Sequence, residues 1–245
     1  MNKVVFITGA TSGFGLETAR IYAKNGYKVI ALGRRASRLE KLKDEFESGV
    51  IHPLVVDVRD KNAVFEAVKN LEFKNIDILV NNAGLALGQD SVKDANLDDF
   101  EVMIDTNIKG FLYVTKAVLP LMNRGGTIFS IGSVAGNWPY AGSNVYGGTK
   151  AFVKQFSLNL RNDIRGSGIR VTNIEPGLCK TEFSLVRFGG DTAKAEAPYA
   201  DTGYVKAQDI ARIIYEISNL PANVNINRVE VMATTQSWAG FFFEK

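Results

Sequence analysis

Val4-Val5-Phe6-Ile7-Thr8-Gly9-Ala10-Thr11-Ser12-Gly13-Phe14-Gly15 opens as an apolar run of strand length and turns through three glycines. It then leads into Leu16, Ala19, Ile21, Tyr22 and Ala23 at helical spacing. A strand, a glycine-rich turn and a helix in this order form a phosphate-binding unit. The glycines let the backbone turn sharply and approach a pyrophosphate, while the helix N-terminus offers free N–H groups to the anion. Such a turn alone is weak evidence, because a helix cap with spare glycines reads alike. The strand before it and the helix after it carry the reading.

Outward from this unit the same alternation continues. Strands are expected near Val4–Thr8, Lys28–Leu32, Ile51–Val56, Ile78–Val80, Thr127–Ile131, Arg170–Ile174 and Arg228–Met232. Helical patterns fall at about 14–25, 36–47, 60–70, 97–122, 144–165 and 207–219, with Pro, Gly and Asn at the joints. Strands that alternate with helices predict an α/β fold, a doubly wound parallel seven-stranded sheet with helices on both faces. No linker, repeat or low-complexity tract divides the chain, so residues 1–245 are read as one domain. The long non-periodic stretch at 181–204 follows a strand end and is expected to be a substrate lid, since such loops in compact domains are usually functional.

Composition narrows the class further. The 245 residues carry 29 Lys+Arg against 26 Asp+Glu, a net charge of +3, too slight to announce a nucleic-acid partner. The run Val4 to Ile7 is too short for a signal-peptide core, and no stretch approaches the roughly 18 apolar residues that span a bilayer. One cysteine, Cys179, forbids an internal disulfide, and a single histidine leaves no metal-ligand cluster. The expectation is a cytoplasmic protein without a protein-held metal and without membrane or nucleic-acid partners.

The second strand ends in Leu32-Gly33-Arg34-Arg35. A carboxylate here would bond a free ribose 2′-hydroxyl and repel a 2′-phosphate, whereas two guanidiniums suit bidentate capture of the phosphate. NADP is therefore expected over NAD, the bland alternative being a solvated basic first turn. Further on, Tyr146-Gly147-Gly148-Thr149-Lys150 puts a phenol and an ammonium on one helical face. A neighbouring positive charge favours phenolate and would make Tyr146 a general acid/base. Alone this pair reads as a surface pair. Ser133, however, follows the strand Thr127–Ile131 and falls at its carboxyl end, where open α/β sheets bind ligands.

These motifs resemble the short-chain dehydrogenases/reductases over essentially the whole chain: the glycine turn, Asp57, Asn81-Asn82-Ala83-Gly84, Asn107, Ser133, Tyr146 with Lys150, Pro176-Gly177 and Thr181. The resemblance implies a Rossmann-type sheet, an expected homotetramer and a catalytic tetrad of Asn107, Ser133, Tyr146 and Lys150. In it Tyr146 moves the proton, Ser133 orients the carbonyl, Lys150 binds the nicotinamide ribose and lowers the Tyr146 pKa, and Asn107 holds a water. It implies nucleotide contacts at Gly9, Thr11, Ser12, Gly13, Phe14 and Gly15 and at Asp57 and Val58 on the adenine side. It adds Asn82, Ala83 and Gly84 beside the ribose, and Pro176, Gly177, Leu178 and Thr181 at the nicotinamide. Taken singly, Asn81 to Gly84 would be a plain turn and Asp57 a helix cap.

Within the family the stretches 140–160, 174–188 and 225–240 are similar to NADP-dependent 3-hydroxy acid dehydrogenases of the serine or L-allo-threonine type. Cys179-Lys180 is a local departure from that group. The implied reaction is reversible oxidation of the 3-hydroxyl of a small 3-hydroxy acid, with Ser133, Tyr146 and Arg187 touching the substrate. Arg187 is chosen because a guanidinium fork matches a carboxylate that must be paired in a closed site; a solvent-facing loop arginine is the plain alternative. Two other function classes remain: a reductase of uncharged ketones and aldehydes, and a non-enzymatic NADP sensor, which would have no use for a proton donor. Cys179 and His52 are read as structural, His52 without a visible partner. Trp138 and Tyr140 either line the substrate mouth or pack under a loop, and Phe111, Leu112, Val114, Phe152, Val153 and Phe156 either form a subunit interface or only cover the sheet.

Overall fold

A computed structural model describes residues 3–200 and 202–237. β1 (Val4–Thr8) alternates its side chains across the sheet, and both faces are apolar. Val5 and Ile7 enter a core with Tyr22, Leu39, Ile210 and Ile214, while Val4 and Phe6 enter another with Val64, Val114, Val118 and Leu160. Burial on both faces is what a continuous apolar run means in a parallel sheet. α1 (Gly13–Lys24), α2 (Ala36–Asp44) and α9 (Ala207–Ser218) therefore cover one face; α3 (Lys61–Lys69), α5 (Phe111–Val118) and α6 (Asn144–Asp163) cover the other.

The remaining strands are β2 (Lys28–Gly33), β3 (Ile51–Val55), β4 (Ile76–Asn81), β5 (Met122–Ile131), β6 (Arg170–Pro176) and β9 (Arg228–Val231), all parallel in the order β3-β2-β1-β4-β5-β6-β9. The order reverses between β1 and β4, and the crevice at their carboxyl ends is where such sheets bind ligands. The expected seven-stranded doubly wound architecture is present.

Three expectations need correction. The pattern at 97–122 is not one helix: α4 (Leu97–Ile104) passes into a π-helical turn, Asp105–Gly110, then α5 and a 3₁₀ turn, and Met122 already belongs to β5. The extra residue of the π turn points Asn107 inward, where it is buried. The stretch 181–204 also has structure of its own. β7 (Cys179–Lys180) pairs with β8 (Val205–Lys206), and between them lie α7 (Phe183–Arg187) and α8 (Thr192–Glu196). His52, read as partnerless, stands edge-on to Phe73 at 4.6 Å and its Nε2 lies 2.9 Å from the Gly49 carbonyl oxygen. Residues 238–240 of the tail stretch lie outside the described residues. Among the described residues no helix is long and apolar enough to cross a membrane.

Candidate active site

The glycine turn is fixed from β4. Thr8 Oγ1 accepts the backbone N–H groups of Asn82 and Ala83 at 2.9 and 2.8 Å, and Asn82 Nδ2 donates to the Thr8 carbonyl at 2.8 Å. Gly9 sits at φ +68°, a left-handed conformation. A Cβ on Gly15 would meet the Gly9 carbonyl oxygen and come within 2.6 Å of Asn82 Nδ2, so helix, turn and β4 approach as only glycine permits. These packed backbones open into a cleft of about 290 Å³.

Every predicted nucleotide-contacting position except Gly15 and Leu178 lines this cleft, as does Ser133. Gly15 packs behind the turn, and Leu178 donates its backbone N–H to Gln236 Oε1 at 2.8 Å. At the cleft's outer end Arg35 donates Nε and Nη2 to Thr11 Oγ1 at 3.0 and 2.8 Å, and Nη2 to Ser12 Oγ at 2.7 Å. Arg34 leans instead toward Asp57, at 3.6 Å, and Arg59 pairs with the same carboxylate at 2.6 Å. Asp57 is not the cap of α3; Asp60 is, accepting from the Ala63 N–H at 3.0 Å.

Two residues here escaped the sequence reading. Arg38 stands one turn beyond Arg35 on α2, and both hold Glu182, at 2.7 and 3.0 Å. The i, i+3 spacing of the two arginines was a readable signal. Nothing local announces Glu182.

At the inner end, Tyr146, Lys150, Ser133 and Asn107 converge. Tyr146 and Lys150 are buried on α6, with Lys150 Nζ 5.8 Å from the phenol ring centroid. Lys150 Nζ donates to the Ile131 carbonyl at 2.7 Å. Ser133, at the end of β5, accepts the Ala135 N–H at 3.1 Å. Asn107 bonds both backbone groups of Leu85, at 2.9 and 2.8 Å, and donates to Thr149 Oγ1 at 3.0 Å. A Cβ on Gly84 would stand 3.2 Å from both Asn107 Oδ1 and Lys150 Nζ, so glycine there brings the turn against the pair.

The sequence overlooked a support beneath Ser133. Glu175 on β6 is fully buried and takes Arg228 Nε and Nη2 at 2.8 Å each, with Asn137 and Asn173 at 2.7 Å. It thereby holds the 3₁₀ turn that follows Ser133. A Cβ on Gly132 would come within 2.8 Å of Asn173, which fixes the approach of the β5 end to β6.

The electrostatics correct one expectation. Burial pushes the Tyr146 phenol up to about 12, and Tyr140 adds to this; Ser133 and Arg187 oppose it. Lys150, whose ammonium turns toward the Ile131 carbonyl, is not what lowers it here. Burial brings Lys150 itself down from 10.5 to about 8. Between those two values the unfolded chain keeps a proton that the folded chain has released, so the contribution of Lys150 to stability should rise with pH across that window, against the opposite contributions of Cys179 and Tyr146, whose folded values burial raises. The full rise is about 3 kcal/mol. Lys150→Met should lose it, and urea unfolding of both proteins across the window is the check. Parallel curves would show that the ammonium is not desolvated.

Arg187 on α7 reaches back over the phenol. Its guanidinium lies 5.1 Å from the Tyr146 ring centroid, 5.5 Å from Phe183 and 6.0 Å from Tyr140, and donates to Tyr140 Oη at 3.0 Å. Its Nε is buried and has no hydrogen-bond partner among the described residues. Tyr140 thus stands at the site, whereas Trp138 is 40 % exposed and donates to Glu230 at 3.0 Å.

Residues 3–187 match the family model described as short chain dehydrogenase. The chain belongs to the short-chain dehydrogenases. This short-chain dehydrogenase is 53 % identical to the NADP-dependent 3-hydroxy acid dehydrogenase YdfG of Escherichia coli (strain K12), over 97 % of both chains. It is 49 % identical to sulfoacetaldehyde reductase 2 of Chromohalobacter salexigens, over the whole of both. A solved closed form of serine dehydrogenase complexed with NADP⁺ superposes with a TM-score of 0.95 at 52 % identity, covering 99 % of each chain. Among the described residues no group of three or more His, Cys, Asp and Glu could hold a metal ion.

Proposed function

We propose that this chain is an NADP-dependent oxidoreductase that reversibly oxidises the 3-hydroxyl of small 3-hydroxy acids, of the L-serine, L-allo-threonine, 3-hydroxypropionate or 3-hydroxyisobutyrate class. The observation that carries the reading is the guanidinium of Arg187, without a carboxylate partner among the described residues, 5.1 Å from the ring of a buried tyrosine. Full-length similarity to a 3-hydroxy acid dehydrogenase and to serine dehydrogenase points the same way.

The residues present fit NADP. The left-handed Gly9 and the tight Gly15 leave backbone room for a pyrophosphate, and Arg34, Arg35 and Arg38 gather at the end where a 2′-phosphate would lie. Asp57 and Val58 would flank the adenine, Asn82 to Gly84 and Lys150 the ribose, and Pro176, Gly177, Leu178 and Thr181 the nicotinamide. When bound, NADP supplies the hydride acceptor or donor.

The protein's own part is to orient the substrate and move its proton. Tyr146, held protonated at neutral pH by burial, donates to the carbonyl oxygen in reduction; in oxidation it must first release that proton to solvent, and the phenolate then takes the hydroxyl proton. Ser133 holds that oxygen, and Arg187 pairs with the carboxylate. Lys150 and Asn107 close the inner wall, where Asn107 can hold a water beside Lys150. A sulfonate offers the same fork a similar anion, and a relative is named for sulfoacetaldehyde.

Half-buried Phe152, stacked on Phe156 at 5.8 Å, supports a subunit interface along α6, whereas Phe111, Val114 and Val153 are buried and only cover the sheet; a homotetramer is proposed from membership of the family. The proposed compartment is the cytoplasm, which supplies NADP(H).

One experiment tests the reading on protein whose mass in solution has been measured, with four copies expected. Nicotinamide absorbance is followed with NADP⁺ or NAD⁺ and the 3-hydroxy acids or a neutral secondary alcohol; sulfoacetaldehyde and a neutral ketone are offered with NADPH. Turnover of the acids with NADP⁺ and not of the neutral alcohol is expected. Turnover of neutral ketones alone would move the function to general carbonyl reduction, and no turnover would leave a nucleotide sensor.

A further inference from the structure

The carboxylate of Glu182 occupies the place between two guanidiniums. Both its oxygens accept from Arg38 Nη1 at 2.7 Å, and Oε2 also accepts from Arg35 Nη1 at 3.0 Å. Arg38 holds the acid below the ordinary carboxylate range. Glu182 directly follows Thr181 and precedes α7, so this contact ties the segment carrying Phe183 and Arg187 to the first turn of α2. Through Arg35 it also reaches Thr11 and Ser12 in the glycine turn.

All three side chains are about two-fifths exposed, at 41 % for Arg35, 42 % for Arg38 and 41 % for Glu182. Ion pairs so open to water contribute little to stability and exchange partners readily. Arg35 and Glu182 line the end of the cleft where a 2′-phosphate would be recognised, and Arg38 adjoins it through Glu182 and the Thr11 carbonyl at 3.4 Å. A phosphate carries up to about two negative charges and three acceptor oxygens, so it outbids a carboxylate for a pair of arginines.

We propose that Glu182 is an internal competitor for the 2′-phosphate of NADP and thereby sets the strength of the preference for it. This rests on the reading of the chain as NADP-dependent. A phosphate that takes Arg35 and Arg38 displaces the carboxylate, and Glu182 lowers the affinity for every ligand bearing that phosphate while leaving ligands without it untouched.

Calorimetry with adenosine 2′,5′-bisphosphate and adenosine 5′-monophosphate, neither of which carries a nicotinamide, tests this on the full chain. Glu182→Gln keeps size and one acceptor and removes the charge. It should bind the bisphosphate about three- to tenfold tighter, with the monophosphate unchanged and the gain shrinking as salt rises. Arg38→Met should weaken the bisphosphate selectively. An E182Q protein that binds the bisphosphate equally or more weakly overturns the proposal, the weaker case meaning that Glu182 organises the arginines for the phosphate. Equal changes for both ligands would reduce Glu182 to a structural tie and also overturn it. If the unmodified chain itself does not distinguish the two ligands, the NADP reading fails; if it prefers the bisphosphate and E182Q adds nothing, only the role of Glu182 fails.

Discussion

Tyr146→Phe should lower kcat by about a hundred- to ten-thousandfold, the range for removing a positioned general acid. The fold and the binding of adenosine 2′,5′-bisphosphate should be unchanged. The ring does structural work that phenylalanine keeps: it packs 5.5 Å from Phe183 and lies under Arg187. Only the oxygen is lost, and with it the proton. Steady-state kinetics beside the thermal transition separate the two outcomes. A variant that keeps kcat within about threefold would show that Tyr146 is not the proton donor. A variant that fails to fold would show instead that the phenol oxygen is a structural anchor.

The second large effect is at Arg187. Arg187→Met should raise KM for a 3-hydroxy acid by about thirtyfold or more, as expected when one partner of a charge-assisted pair is removed. KM for a neutral secondary alcohol of similar shape should barely move. Methionine preserves much of the length and apolar bulk of the stem and removes only the guanidinium that lies over Phe183 and Tyr146, so the comparison isolates that group. Tyr140 loses its donor at 3.0 Å in either case and cannot account for a difference between the two substrates. Equal increases for acid and alcohol would remove Arg187 from carboxylate binding.

How much of this was legible in the sequence depends on how local each feature is. β1 shows in its residues with its observed boundaries, because a doubly buried strand between a charged residue and a glycine turn has few other readings. Tyr146 and Lys150 could be paired from their spacing, since a helix fixes i, i+4 geometry. The π turn at Asp105–Gly110 could not be seen, as apolar periodicity runs on through it while one residue is inserted. The five-residue helices α7 and α8 are too short to develop a period. The contact of Glu182 with Arg38 joins positions 144 residues apart, and no local rule reaches that far. The Tyr146 pKa fails for a related reason: the sequence shows the neighbouring ammonium, but desolvation belongs to the assembled site.

The strand order also dictates a timetable for assembly. β1 completes its pairing when β4 arrives, Val5 meeting Ile78, and β6 gains its last neighbour with β9, where Asn173 meets Arg228. Pairings so distant along the chain close large loops before they are rewarded, which makes refolding from denaturant slow. During synthesis the N-terminal portion is released first. By the time β4 has left the ribosome, the glycine turn has every strand that fixes it, whereas Ser133, Tyr146 and Lys150 have yet to be made. A nascent chain therefore owns the turn that would receive a phosphate before it owns any means of handling a proton, and the far wall of the cleft, at Pro176, Gly177 and Thr181, comes last of all.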